Sequence, residues 1–351
     1  MHLRIGLLLV GTLPLLFARG GAGPVAASLP PAGPSYTTTE LGSLPGDSSS
    51  FALGINVAGQ VVGQSTNVEG PSHAFLWQAR TGMQALATLP GATSSVAVAI
   101  NDRGDVVGSS SSTGSEQHAV LWQDGHIADL GTLPGGSSSF ARDTNNQGHV
   151  VGSSSTADGQ FHAFLWQDGR MTDLGVLAGG MASFATGIND RDQVVGYATV
   201  ADSQFHGFLW QDGRMSDLGT LGSFSPRSFA NGINDRTQIS GAAGIENEAT
   251  AVLWRDGQVS NLGVLPGFAW SIANAVNAQG QVVGQSSTEN GEPPGARAVL
   301  WQNGQIVDLN TLAAEAGWVI RNAQALNDRG QIVGWQDNGG FPLALLLTPT
   351  T

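Results

Sequence analysis

The sequence predicts an all-β fold, a seven-bladed β-propeller of four-stranded antiparallel blades. Three observations carry that prediction. Six tryptophans, Trp77, Trp122, Trp166, Trp210, Trp254 and Trp301, follow one another at spacings of 45, 44, 44, 44 and 47 residues, and a seventh copy places Leu347 46 residues after Trp301. A fixed period of about 40 to 50 residues is the mark of propellers and solenoids. Each copy also carries short apolar runs joined by a tight turn, as where Trp166 precedes Asp168-Gly169. Asp-Gly between two extended runs signals a hairpin, because a type I′ turn needs positive φ at both central residues. Finally, the strands complete a ring only if the two chain ends share one blade.

The copy from Phe184 to Gly219 shows the elements in order. Strand a is Phe184 to Asn189, and Asp190 to Asp192 turns the chain into strand b, Gln193 to Gly196. A polar loop, Thr199 to Gln204, leads to strand c, His206 to Trp210. Asp212-Gly213 then turns into strand d, Met215 to Gly219. All seven copies carry the strand-a asparagine (Asn56, Asn101, Asn145, Asn189, Asn234, Asn277, Asn327) and the strand-b glycine (Gly63, Gly108, Gly152, Gly196, Gly241, Gly284, Gly334). A link such as Thr132 to Ser137 joins each d to the next a.

Strand c carries apolar residues on both faces, Ala163 and Leu165 on one, Phe164 and Trp166 on the other, and strand b offers Val-Val on opposite faces. Such a sheet is covered on both sides. A meander of four short strands between copies of itself is a propeller blade; a β-solenoid favours shorter repeats and needs no tight hairpins. The first copy opens with a spare d-like strand, Tyr36 to Leu41, and the last ends at strand c. Pairing of Tyr36–Leu41 with Leu343–Leu347 is therefore expected to close the ring and remove exposed edges.

At the N-terminus, Arg4 precedes a 13-residue apolar run, Ile5 to Phe17, and the small residues Val25-Ala26-Ala27. That pattern is a secretory signal peptide over residues 1–27, since the run is too short to span a membrane and contains Pro14. A short linker, residues 28–35, precedes the propeller domain at 36–349. Without residues 1–27, 12 arginines face 27 acidic residues, a net charge of −15, and the chain contains no lysine. Such a surface repels phosphate backbones, so nucleic acid is not expected as a partner. No second long apolar run predicts a membrane span, and no cysteine offers a disulfide. The core must hold the fold unaided. The composition, rich in Gly, Ser and Thr, verges on that of disordered chains, but the regular apolar runs can bury enough surface to fold. A monomer is expected.

Several repeated residues invite a chemical reading. His73, His118, His162 and His206 all open strand c. Metal ligands must converge on one ion, whereas equivalent places in different blades point outward around a ring, so these histidines are read as packing or hydrogen-bonding groups. The Asn-Asp-Arg turns at 101–103, 189–191, 234–236 and 327–329 each offer one acid, too few for a calcium loop, and are read as turn chemistry. The repeated tryptophans, tempting as sugar platforms, are read as core between blades. No metal or cofactor is expected. Strand a holds only Arg142 and Asp143 as charged residues. No facing carboxylates for glycoside hydrolysis and no Gly-x-Ser-x-Gly elbow are evident. No catalytic residue is assigned, and a non-enzymatic role is expected.

Irregularities in the repeat point elsewhere. The tight a–b and c–d turns fall on one face of the ring and the longer b–c and d–a links on the other. Trp270 with Phe268, Trp318, and Trp335, leaving strand b toward a b–c loop, all map to that loop face near blades six and seven. So do Arg321, the b–c insertion 285–295 and a possible helical turn at 311–317. Phe268, Trp270, Trp318, Arg321 and Trp335 are the expected ligand-binding set, suited to glycan stacking or a protein contact; gap-filling beside irregular links is the alternative.

The repeated His-Ala-Phe-Leu-Trp, at His73 to Trp77 and His162 to Trp166, resembles the signature of the HAF-repeat family of probable extracellular bacterial proteins. The resemblance covers Tyr36 to Pro349, including Gly317-Trp318 and Leu326 to Gly334. It implies export and a repeat fold, with no established activity to carry over. Some relatives end in an apolar sorting helix with basic residues; this sequence ends at Thr350-Thr351, and release is expected. The expected function is a secreted (extracellular or periplasmic) binding or surface-interaction propeller for a polysaccharide or cell-surface protein. A carbohydrate-active enzyme, lyase or hydrolase, with its site on the loop face is the runner-up, and a structural envelope or matrix role is third.

Overall fold

In the fourth blade the hairpin chemistry acts as the sequence requires. Asp212 and Gly213 adopt φ of 52° and 77°, and Asp124, Asp168, Asp256 and Asn303 take the same left-handed geometry before their glycines. The computed structural model describes residues 35–67, 70–111, 116–222, 226–244, 248–288, 295–313, 318–337 and 339–350. The chain divides at residues 31/32, and every described residue belongs to the second unit. The expected signal peptide, linker residues 28–34, insertion residues 289–294 and turn residues 314–317 lie outside the described residues.

Among the described residues, twenty-eight strands, β1 to β28, form seven four-stranded sheets. Blade four comprises β14 (Ser183–Ile188), β15 (Val194–Thr199), β16 (Phe205–Gln211) and β17 (Arg214–Asp217), paired in that order. The first strand of each blade touches the first strands of its neighbours, so these strands form the inner wall around a central channel. The seventh sheet runs β26 (Val319–Leu326), β27 (Ile332–Asp337), β28 (Leu343–Pro349), then β1 (Tyr36–Gly42) as its outermost strand. Tyr36 pairs with Pro349, Thr38 with Leu347 and Glu40 with Leu345. Ser35, expected as linker, already takes part: its carbonyl accepts the Thr350 N–H at 2.8 Å. The expected closure is therefore the observed one, and it gives the seventh blade its fourth, outermost strand.

The two valines of strand b explain how blades stack. Val194 packs into a cluster with Val151, Ala163 and Leu165 of blade three, and Val195 into one with Ala230, Ile239 and Trp254 of blade five. Both are fully buried, and burial of such a side chain contributes roughly 1.5 to 3 kcal/mol. The repeated tryptophans sit in the same inter-blade layers: Trp254 and Trp301 are buried, and Trp166 and Trp210 pack half-buried against neighbouring clusters. The strand-b glycine is fixed by a bulge. At Gly196, where pairing shifts between Ala185 and Gly187, a Cβ would stand 2.0 Å from the Phe184 carbonyl oxygen.

A second inter-blade link was not foreseen. Buried Ser183 accepts the Ala163 N–H of the previous blade at 2.8 Å and donates to the Gly175 carbonyl at 2.6 Å. Ser139, Ser228 and Ser271 repeat both bonds. These four d–a links are thus pinned to the sheets they leave.

Candidate functional site

The channel has two chemically different ends. At the tight-turn end the seven repeated asparagines form a closed belt. Each side-chain Nδ2 donates to the backbone carbonyl of the next blade's asparagine, from Asn56 to Asn101, Asn145, Asn189, Asn234, Asn277, Asn327 and back to Asn56, at 2.8 to 3.2 Å. Each Oδ1 accepts backbone N–H groups of its own turn, as Asn189 does from Arg191 and Gln193, both at 3.0 Å. The next residue in the turn adds a second latch. Asp102, Asp190, Asp235 and Asp328 accept the N–H of Val57, Asn146, Asp190 and Ala278 in the preceding blade, at 2.7 to 2.9 Å. The turn reading of Asn-Asp-Arg is sharpened by this: the asparagine Oδ1 serves its own turn while its Nδ2 reaches the next blade, and the aspartate carboxylate serves the preceding one. The belt surrounds a mouth of about 240 Å³.

One seam at this end departs from the pattern. Where most blades have glutamine four residues after the asparagine, blade three has His149, whose Nδ1 lies 2.7 Å from Asp192 of blade four. Asp192, at φ 58°, and Thr237, at 56°, occupy a left-handed turn position that is glycine in the other five blades. An open cleft of about 500 Å³, lined by Arg191, Asp192, Gln193 and Trp210, lies beside this seam. Around the rim, the strand-c histidines hydrogen-bond to aspartates: His118 to Asp129, His162 to Asp173 and His206 to Asp217, at 2.7 to 2.8 Å.

The loop face carries aromatics, concentrated away from the expected set. Phe140 contacts Phe161 at 5.9 Å between ring centroids, and Phe161 stacks on Phe184 at 6.1 Å. Phe184 stacks on Tyr197 at 5.1 Å. Tyr197 and Phe205 then meet edge to face at 5.5 Å, and both reach Phe229, at 5.2 and 6.0 Å. Six rings therefore form one continuous arc across blades three, four and five, and each is only half-buried. The strand geometry requires this placement. Phe184 and Tyr197 are directly opposed in β14 and β15, and Phe205 lies two residues before Tyr197's other partner, Gly207, so all three side chains share one face.

Beneath the arc, the inner strand β10 (Ser139–Thr144) holds Arg142 and Asp143. The places equivalent to Arg142 in other blades carry Leu53, Val98, Thr186, Asn231, Asn274 and Gln324. Thr186 and Asn231 bond to the next blade's inner strand, to Ala230 and Ala273 carbonyls. Arg142 makes no hydrogen bond or ion pair among the described residues. Burial lowers its pKa, with nearby Tyr197 opposing the shift. Asp143 replaces the glycine or alanine found in other blades and accepts the Ile188 N–H at 2.9 Å and the Thr144 N–H at 2.9 Å. Burial raises its carboxyl to about 7 against those two hydrogen bonds, and the charge of Asp190 adds to the rise.

The five expected site residues do not form one cluster. Phe268 packs against the core of blade six. Trp270 opens β22 (Trp270–Val276), opposite Ser287. Trp318 stands half-buried just before β26. Arg321 lies within β26, 3.3 Å from Asp337, with a bond to the Ala296 carbonyl. Trp335 does not leave strand b: it pairs with Asn322 and Ala344 inside β27 and meets Phe51 of blade one edge to face at 5.8 Å. Among the described residues no ring contact joins Trp270, Trp318 and Trp335 to one another. Sequence reasoning missed the arc, although its signal was present: consecutive copies place phenylalanine near the start of strand a (Phe140, Phe184, Phe229) and at the start of strand c (Phe161, Phe205).

Fold and channel define the protein as a seven-bladed β-propeller whose last blade is completed by the N-terminal strand. No family model matches the chain, and no curated protein does. Solved structures do. An oligogalacturonate lyase in complex with manganese is 11% identical, with a TM-score of 0.56 over 90% of this chain and 96% of that one. A virginiamycin B lyase from Staphylococcus aureus is 11% identical, with a TM-score of 0.51 over 89% and 99%. A prolyl endopeptidase is 10% identical, with a TM-score of 0.55 over 90% of this chain and 51% of its own length. At such identities the likeness is one of fold.

Proposed function

We propose that this is an exported, monomeric binding propeller of the HAF-repeat type that holds a polysaccharide on its loop face. The observation that carries the reading is the arc of six half-buried rings across three blades. Other blades have Gln64, Ser109 and Ala242 where blade four has Tyr197, so blade stacking does not require an aromatic there. Contiguous aromatic surface of this kind suits the apolar faces of sugar rings, and a rigid sheet presents it with little ordering cost. The test is glycan-array and calorimetric binding of the protein and of two double variants. Phe161→Ala with Tyr197→Ala is expected to weaken binding at least tenfold, and Trp270→Ala with Trp318→Ala to change it less than threefold. The reverse order would return the site to blades six and seven, and a wild type without glycan binding would end the reading.

A second reading, a carbohydrate-active enzyme, draws on Asp143. A carboxyl pushed up to about 7 on an inner strand of the channel wall is material for acid–base chemistry, and one structural neighbour is an oligogalacturonate lyase. Appearance of unsaturated or reducing ends on incubation with polysaccharides, lost in Asp143→Asn, would establish it.

A further inference from the structure

The loop-face arc has a charged partner whose chemistry narrows the ligand. Arg142 is the sole basic residue on any inner strand of blades one to six. It belongs to a chain with 14 arginines against 27 acids, so an opposite charge was available to pair it. Arg103 has Asp105 at 2.6 Å and Arg321 has Asp337 at 3.3 Å. Arg142 has neither an ion pair nor a hydrogen bond among the described residues. Its nearest acid in sequence, Asp143, spends its oxygens on the Ile188 and Thr144 N–H groups instead. Arg142 is only half-buried and none of its nitrogens is sealed from solvent, so its donors stay open to a ligand. Leucine, valine, threonine, asparagine and glutamine at the equivalent places show that the fold does not need an arginine there.

Resting on the polysaccharide reading above, we infer that the ligand is an acidic polysaccharide whose oxyanion seats on Arg142 while a neighbouring sugar ring stacks on Tyr197 and Phe184. A planar guanidinium matches a carboxylate or sulfate bidentately. Its place within the inner wall, between low-dielectric blades, protects that contact from the repulsion of a net-acidic surface. The six aromatic rings supply shape and the arginine supplies choice of charge.

Uronate and sulfate-ester sugars share this oxyanion chemistry, and the test separates them. Binding is measured by calorimetry for polygalacturonate, its methyl-esterified form, a sulfated galactan and a neutral galactan, with wild type, Arg142→Gln and Arg142→Lys. Gln324 stands at the same place in blade seven, so Arg142→Gln is expected to fold, with thermal melting as the check. Wild type is expected to prefer one acidic polymer over its neutral counterpart by at least tenfold. Arg142→Gln should abolish that preference while leaving neutral binding within threefold, and Arg142→Lys should retain part of it. Preference for polygalacturonate identifies the carboxylate, and preference for the sulfated galactan identifies the sulfate. Equal binding of acidic and neutral polymers, or an unchanged preference in Arg142→Gln, would overturn the inference and leave the binding reading standing. Failure to bind any of the four polymers would overturn both.

Discussion

Replacing Asn189 tests how the ring is held together. Its side chain is buried and makes four hydrogen bonds, two accepted from Arg191 and Gln193 N–H groups and two donated, to Gln193 Oε1 at 2.8 Å and to the Asn234 carbonyl at 3.1 Å. Asn189→Ala removes all four and strands two part-buried N–H donors and a buried carbonyl. At roughly 1 to 3 kcal/mol for each of the three stranded groups, the loss is about 3 to 9 kcal/mol, or a fall of about 5 to 13 °C in melting temperature for a chain of this size. Asn189→Asp separates the two roles of the amide. It keeps both acceptor bonds but turns an oxygen toward two acceptors, and its charge is poorly hydrated there. It is expected to cost at least about 3 kcal/mol despite its shape. Urea titration followed by tryptophan fluorescence, with thermal melts, measures both. A cost below about 1 kcal/mol for the alanine variant would show that the belt is incidental and that apolar packing alone holds the seams.

Other outcomes follow from the same geometry. Removal of β1 (residues 35–42) takes away buried Tyr36 and Leu41 and bares the β28 edge; the melting temperature should fall by about 10 °C, and an unchanged value would refute closure by that strand. Asp143 binds its proton more tightly folded (about 7) than unfolded, so its contribution to stability is greatest below about pH 4 and declines as pH rises toward 7. Asp143→Asn should therefore melt above wild type at pH 8 and match it near pH 4; a difference of the same size at both values would remove the titration from the explanation. Thr237, β-branched at φ 56°, occupies a glycine position, so Thr237→Gly is expected to stabilise by about 1 kcal/mol. A loss would show that its contacts with Arg191 and Gln193 outweigh the strain.

What could be read from the sequence was what is local or periodic. Asp168-Gly169 states its turn by itself, and Val194-Val195 states that both faces of the sheet are covered. Tyr36–Leu41 could be assigned to the last blade because a ring leaves one place for a spare strand. The asparagine belt was visible as a repetition but not as a bond, since the carbonyl that Asn189 reaches belongs to Asn234, one blade away. The aromatic arc was hidden for a related reason. Phe161 and Phe184 each look like ordinary strand residues, and their stacking exists only because the ring brings the start of strand c in one blade against strand a of the next. The large tryptophans outside the pattern drew attention to blades six and seven. Size marks an irregularity in sequence, whereas adjacency makes a surface.

The belt also has no first or last member. In an open stack of repeats the terminal units touch one neighbour each and melt first. Here Asn327 donates to Asn56 across 271 residues, and the β1 seam brings together Thr37 and Thr348, 311 residues apart. Joining such distant segments costs about 5 kcal/mol of chain entropy, spent once for both seams. Thereafter no blade can fray from an end, because loosening any one of them breaks two interfaces. A chain assembled from near-identical parts should accordingly unfold as a single cooperative body rather than blade by blade.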